Sequence, residues 1–226
     1  MLYITGDTHT PIDVHKLGMK YFPQQRFMVR ENDYLIICGD FGAVWDNSKE
    51  EHYWRKWLDN KPFTVLFVDG NHENFDLLNE FPIIDKFGGQ VQQIGENIFH
   101  LLRGEIYKIC GKEIFCFGGA SSHDKHLRVP YKSWWPNELP TMEEMQHGIQ
   151  MLDNHKWNVD YIITHCASKS VQAEIAYWYE NDSLTSFFQF IKENCLYRHW
   201  YFGHYHIDKR MDEKHTALYQ KIVSIP

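Results

Sequence analysis

One kind of junction recurs along this chain and constrains its fold more than any other feature. A short apolar run ends, and a Gly, Asp, Asn or His follows almost at once. Leu2-Tyr3-Ile4-Thr5 leads into Gly6-Asp7-Thr8-His9, and Tyr34-Leu35-Ile36-Ile37-Cys38 leads into Gly39-Asp40. Phe63-Thr64-Val65-Leu66-Phe67-Val68 precedes Gly70-Asn71-His72-Glu73. Tyr161-Ile162-Ile163 precedes Thr164-His165, and Trp200-Tyr201-Phe202 precedes Gly203-His204-Tyr205-His206. Continuous apolar runs of this length read as strands buried on both faces. Such strands sit inside helix-covered sheets, and open α/β sheets place their sites just past the C-terminal strand ends. The chain is therefore held to an α/β architecture whose polar loops gather at one end.

Between the runs the pattern alternates, then changes. Helices are expected over residues 14–21 and 50–58, the latter with Tyr53, Trp54 and Trp57 on one side. Asn74 is placed to cap a short helix ending near Asn79. The middle reads as strands over 90–94, 98–102, 105–109 and 113–117, joined by turns at Gly95-Glu96-Asn97, Gly104 and Gly111-Lys112. Thr141 with Glu144 forms a capping-box pattern opening a helix that reaches about residue 155. Further helices are expected over 171–179 and 185–193, and last strands over 200–202 and 218–223. The order βαβα, an antiparallel block and βαβ predicts one α/β domain over residues 1–226, with two sheets packed together and helices outside.

Composition narrows the function. A formal net charge of -7 argues against a protein that coats nucleic acid, which needs Lys and Arg at phosphates. Five cysteines, an odd number without a CxxC spacing, read as reduced thiols. The chain opens directly on Leu2-Tyr3-Ile4 with no charged leader, and no apolar run approaches membrane-spanning length, so a cytoplasmic location is expected.

The junction motifs carry chemistry as a set. Asp7, Asp40, Asn71, His9, His165, His204 and His206 offer carboxylate, amide oxygen and imidazole donors, with His72 to spare. That donor set suits two adjacent divalent transition ions. Mixed N/O ligation favours Mn, Fe, Zn or Co over Ca or Mg; manganese is the expected ion. Two such ions make hydroxide available near neutral pH and offset charge on a phosphoryl group, a device for hydrolysing phosphate esters. Singly, each Asp or His also reads as an ordinary turn residue; the ordered set is what points to metal.

On these motifs the chain resembles the calcineurin-like metallophosphoesterases, in the manner of small bacterial and phage members, over residues 7–206. The resemblance implies a four-layer αββα sandwich of two mixed sheets flanked by helices. It implies that Asp7, His9, Asp40 and His206 hold one ion, and that Asp40, Asn71, His165 and His204 hold the other, with Asp40 bridging. A hydroxide bridging the ions would attack phosphorus in line. His72 would stand over the site as general acid or positive hydrogen-bond donor, with Glu73 as its support. Protonation of the leaving oxygen is typically worth about 10²–10⁴-fold.

Departures bear on substrate. Thr10 stands where the protein serine/threonine phosphatase branch has Gly, and Ala43-Val44 stand where that branch has Asp-Arg. The Gly-rich loop 118–128 offers Arg128 or Lys125 as the alternative phosphate grip; a solvated basic loop is the other reading. Trp134-Trp135-Pro136 is expected to be buried, with base stacking as the alternative. Tyr177, Trp178 and Tyr179 read as helix packing, and His123 as ordinary. A phosphomonoesterase is the first reading. A phosphodiesterase or nuclease on the same site is the second, and a non-catalytic scaffold the third. Expected partners are a phosphorylated small molecule, a nucleotide or a phosphoprotein, with nucleic acid only as substrate and no membrane.

Overall fold

Successive residues along the predicted strands enter different cores. Leu2 and Ile4 pack with Ile36, Cys38, Leu66, Val68, Ile114, Cys116 and Ile163 in one cluster. Tyr3, Leu35, Ile37, Val65 and Phe67 join a second, with Trp54, Trp57 and Phe75. Phe115, Phe117, Ile162 and Phe202 join a third, with Leu152, Phe187 and Phe188. Three apolar clusters separated by two sheets make four layers, and the period-2 alternation of a strand explains why each sheet feeds two of them.

The computed structural model describes residues 1–175 and 177–225. In chain order its elements are β1 (Leu2–Thr5), β2 (Tyr34–Ile37), α1 (Lys49–Asp59), β3 (Thr64–Phe67), α2 (Phe75–Leu78), β4 (Ile83–Lys86), β5 (Gly89–Gln93), β6 (Ile98–Leu101), β7 (Ile106–Ile109), β8 (Lys112–Phe117), α3 (Met142–Asn154), β9 (Tyr161–Thr164), α4 (Lys169–Ile175), α5 (Ser183–Asn194), β10 (His199–Phe202), β11 (Lys209–Arg210), β12 (His215–Ala217) and β13 (Ile222–Ile225). One sheet runs β13-β1-β2-β3-β6-β5-β4, the other β11-β12-β10-β9-β8-β7. Strands β1, β2, β3 and β6 are mutually parallel, as are β8, β9, β10 and β12, so each sheet is mixed only at its edges. The motif loops after β1, β2, β3, β9 and β10 consequently emerge where the strands end. Among the described residues no helix is long and apolar enough to cross a membrane.

Four expectations change. The helix over 14–21 is replaced by 3₁₀ turns at Val14–Leu17 and Pro23–Phe27. Asp13 does not cap it, because its carboxylate is taken by His9, Tyr219 and Gln220. The last strand is shifted to β13, since the amides of Tyr219, Gln220 and Lys221 all donate to the Asp208 carboxylate. Edge strand β4, mostly exposed, lacks the apolar alternation that would have announced it. The helix over 171–179 begins at Lys169 and runs to Ile175; Ala176 lies outside the described residues, while Tyr177 and Trp178 are 83% and 65% exposed and so do not pack as core. By contrast Trp135 is fully buried, with Nε1 donating to Asp76 (2.8 Å).

Candidate metal centre and active site

The turns that carry the candidate ligands are tied to one another through their backbones. Thr8 N and His9 N both donate to Asp40 O (3.1 and 2.8 Å), and Gly203 N donates to His165 O (2.9 Å). His9, Asp40, His204 and His206 all adopt positive φ, at 33°, 47°, 67° and 49°. Each such residue costs about 1–3 kcal/mol, and their concentration at one spot is the mark of a functional site. Close approach also explains two glycines. A Cβ at Gly70 would overlap the Asp40 carboxylate, and one at Gly203 would overlap that of Asp7.

Asp7, His9, Asp40 and His206 each present a donor atom, all within 4.8 Å of one another. His9 Nε2 lies 3.2 Å from Asp40 Oδ2, while its Nδ1 donates to Asp13 Oδ2 (2.9 Å). His206 Nε2 stands 3.2 Å from Asp7 Oδ2 but out of hydrogen-bonding alignment, and its ring stacks on Tyr219. On the other side of Asp40, His165 Nε2 lies 3.3 Å from Asp40 Oδ1 and 3.1 Å from Asn71 Oδ1. His165 Nδ1 donates to Cys38 O (2.7 Å), which aims Nε2 into the cluster. The His204 ring is 5.0 Å from that of His165. Asp40 is thus the residue shared by both donor groups.

The charge balance of this cluster is unusual. Asp7, Asp40 and His165 are fully buried or nearly so, and among the described residues no Lys or Arg pairs with either carboxylate; Lys16 Nζ instead donates to the Asp7 backbone carbonyl (2.6 Å). Burial alone would raise both carboxyls; the nearby His206 ring and the His165 charge bring Asp7 below its ordinary value, and His165 and His9 bring Asp40 well below. Burial would lower His9 and His165, but Asp40 and Asp7 outweigh it and lift them to about 9 and about 10. His204 is pushed down to about 3 by burial and by the His165 charge. Near neutral pH two imidazoles therefore carry protons where the donor set would otherwise hold cations. Asp7 Oδ2, buried without a hydrogen-bond partner, is a free acceptor within that set. These residues fit divalent ions in both donor chemistry and charge.

The substrate side is a cavity of about 220 Å³ lined by Asp40, Asn71, His72, Arg128, Tyr179 and His204, among others. Arg128 reaches it. Its Nε and Nη2 donate to the Asp124 carboxylate (2.6 and 2.8 Å), and its Nη1 donates to His72 Nδ1 (2.9 Å). Lys125 does not reach it; it is exposed on the 3₁₀ turn Lys125–Leu127 outside the lining. Two roles expected around His72 also change. Glu73 turns inward beneath the neighbouring loop and accepts from Phe41 N (2.7 Å), so it braces the turn after Asp40 rather than His72. His72 is held below its ordinary value by burial and by Arg128, which outweigh Asp40, and Arg128 adds a permanent positive charge beside the ring above the cleft. His123 and Tyr179 also line the cavity, with ring centroids 3.6 Å apart. Nothing in their spacing announced them; Asp124, four residues before Arg128, pairs with it in the structure.

No curated protein matches this sequence. Among solved structures, one described as a candidate 5′-nucleotidase from Staphylococcus aureus in complex with α-ketoglutarate is 11% identical, with a TM-score of 0.45. The alignment covers 96% of this chain and 48% of that one, so the chain spans about half its length. The model of calcineurin-like phosphoesterases matches residues 2–208, from β1 through the loop that follows β10, and the chain belongs to that family.

Proposed function

We propose that this protein is a metal-dependent phosphoesterase that prefers phosphomonoesters. The observation that carries the first half is the convergence of Asp7, His9, Asp40 and His206 donor atoms within 4.8 Å, beside a second group sharing Asp40. Asp7, His9, Asp40 and His206 would hold one divalent ion, and Asp40, Asn71, His165 and His204 the other. Manganese is the expected metal, with iron, zinc or cobalt as alternatives. A pair of such ions supplies Lewis acidity, polarising a phosphoryl group and making water nucleophilic near neutral pH.

The chain's own residues supply the rest. Arg128 faces both ring nitrogens of His72, with Nη1 2.9 Å from Nδ1 and Nη2 3.3 Å from Nε2, so imidazole and guanidinium would together present N–H groups to a leaving oxygen. The guanidinium, fixed by Asp124 and by Ser133 O (3.1 Å), places permanent positive charge beside the His72 ring. The guanidinium of Arg128, reaching into the cavity beside His72, favours a monoester, because it can grip a non-reacting phosphoryl oxygen. The phosphodiesterase reading is favoured by one observation, the exposed Tyr177 and Trp178 near Tyr179 at the rim, where a base can stack.

Turnover of an aryl phosphomonoester and of the matching bis-aryl diester by manganese-loaded protein separates the two. A monoester preference is expected; a diester preference overturns it. His72→Ala should keep its bound metal and lose about 10²–10⁴-fold in turnover.

A further inference from the structure

The segment between β8 and α3 carries two polar residues that the chemistry above does not use. Ser122 and Glu138 are 3% and 1% exposed. Ser122 N donates to Glu138 Oε1 (3.0 Å), and Ser122 Oγ donates to Glu138 Oε2 (2.6 Å). A carboxylate only accepts, so the single hydroxyl proton of Ser122 is committed to Glu138. Ser122 Oγ is left as an acceptor, and it takes a hydrogen bond from Asn71 Nδ2 (3.2 Å).

That direction matters at Asn71. Its amide has one donating and one accepting end, and a half-turn exchanges them within nearly the same space. With Nδ2 turned to Ser122, Oδ1 is turned to His165 Nε2 (3.1 Å) and into the donor cluster. The pair has a firm seat. Arg103 donates to Asn137 O (2.7 Å) on the turn that carries Glu138, and Arg103 is itself bound to Asp69, next to the Gly70 turn. Burying a carboxylate for two hydrogen bonds to one serine is costly for packing alone.

We propose that Glu138 and Ser122 are positioning residues that act through Asn71, holding its Oδ1 as a ligand for the second divalent ion. This rests on the reading of Asn71 as a metal ligand. Glutamine at 138 would fill the same volume, yet its amide could donate to Ser122 Oγ. The hydroxyl proton would then be free to face Asn71 and stabilise the reversed amide.

The test is calorimetric titration of manganese into the metal-free full-length wild type, Ser122→Ala, Ser122→Thr, Glu138→Gln and Asn71→Ala, with the metal-free Tm of each. Ser122→Ala and Glu138→Gln should bind one ion as the wild type does and the other about 10–100-fold more weakly. Ser122→Thr, which keeps the hydroxyl, should bind both normally. Glu138→Gln removes no volume, so it reads the effect even if Ser122→Ala loses its fold. Wild-type affinity for both ions in Ser122→Ala and Glu138→Gln, with one ion weakened in Asn71→Ala, overturns the positioning role. Wild-type binding by Asn71→Ala overturns instead the ligand reading on which it rests.

Discussion

Two centres of buried carboxylate lie close together in this molecule and are neutralised in opposite ways. Asp69 faces Arg103, whose Nε and Nη2 both donate to Asp69 Oδ2 (3.0 and 2.5 Å), with His100 Nε2 3.2 Å from Oδ1. The Asp7 and Asp40 carboxylates, beyond the Gly70 turn, meet imidazoles and the backbone amides of His204 and His72, and among the described residues no Lys or Arg side chain pairs with them. A guanidinium does not give up its proton, so the first centre is closed and permanent. An imidazole does, so the second can exchange protons for metal ions. The same residue type, buried equally, is a structural pin in one place and, on the proposed function, a metal cradle in the other, according to whether its counter-charge can leave.

This contrast can be broken by measurement, starting where the effect is largest. Arg103→Met leaves Asp69 buried without its cation and should cost about 3–5 kcal/mol in urea unfolding, equally with and without chelator. A cost that appears only in metal-loaded protein would tie Asp69 to the metal centre. Next, manganese at about 100 times its Kd should stabilise the wild type by about 2.7 kcal/mol. The chelated protein should show none of this, and Asp40→Asn only a remnant.

The pH dependence separates the centres by sign. His9 and His165 are raised from 6.5 to about 9 and about 10, so the stability they contribute to metal-free protein is complete below 6.5 and is lost as pH rises through those values. In chelator, Tm should fall from neutral to alkaline pH by at least about 2–4 °C, the shift one kcal/mol produces at this chain length. Manganese should remove that fall, because the protons are already gone. Asp69 lies below its ordinary 3.8, since the Arg103 charge and the His100 hydrogen bond outweigh burial. Its contribution is present above 3.8 and should be lost on acidification, with or without metal. The smallest effect expected is on metal-free Asp40→Asn, about 1–2 kcal/mol less stable than wild type near neutral pH, because the imidazoles facing it can discharge. A loss as large as that of Arg103→Met would remove the distinction.

The cradle was legible in the sequence and the pin was not, for a physical reason. Asp7, Asp40, Asn71, His165 and His204 each follow a buried strand within a few residues, and parallel strands carry those positions to one end. Asp69 and Arg103 meet across 34 residues, and nothing in either segment names the other. Arg128 could be suspected from its basic loop, but its contact with His72 depends on a path of the 118–139 segment that no strand dictates. His123 and Tyr179 enter the cavity from loops without period. The helix expected over 14–21 failed because a tertiary demand on Asp13 removed its cap. Glu73 was expected to support His72 from its place in the Gly70-Asn71-His72-Glu73 run, but its direction was set by the Phe41 amide.

The most direct test of the cradle is titration of manganese into metal-free wild type and Asp40→Asn near neutral pH, with phosphoester turnover followed in the same samples. The wild type should bind two ions per chain with release of protons, and turnover should appear as they bind. Asp40→Asn should bind at most one ion and lose at least about 10³-fold in turnover, about 4 kcal/mol of barrier. Turnover that survives complete removal of metal, or wild-type turnover by Asp40→Asn, contradicts the account.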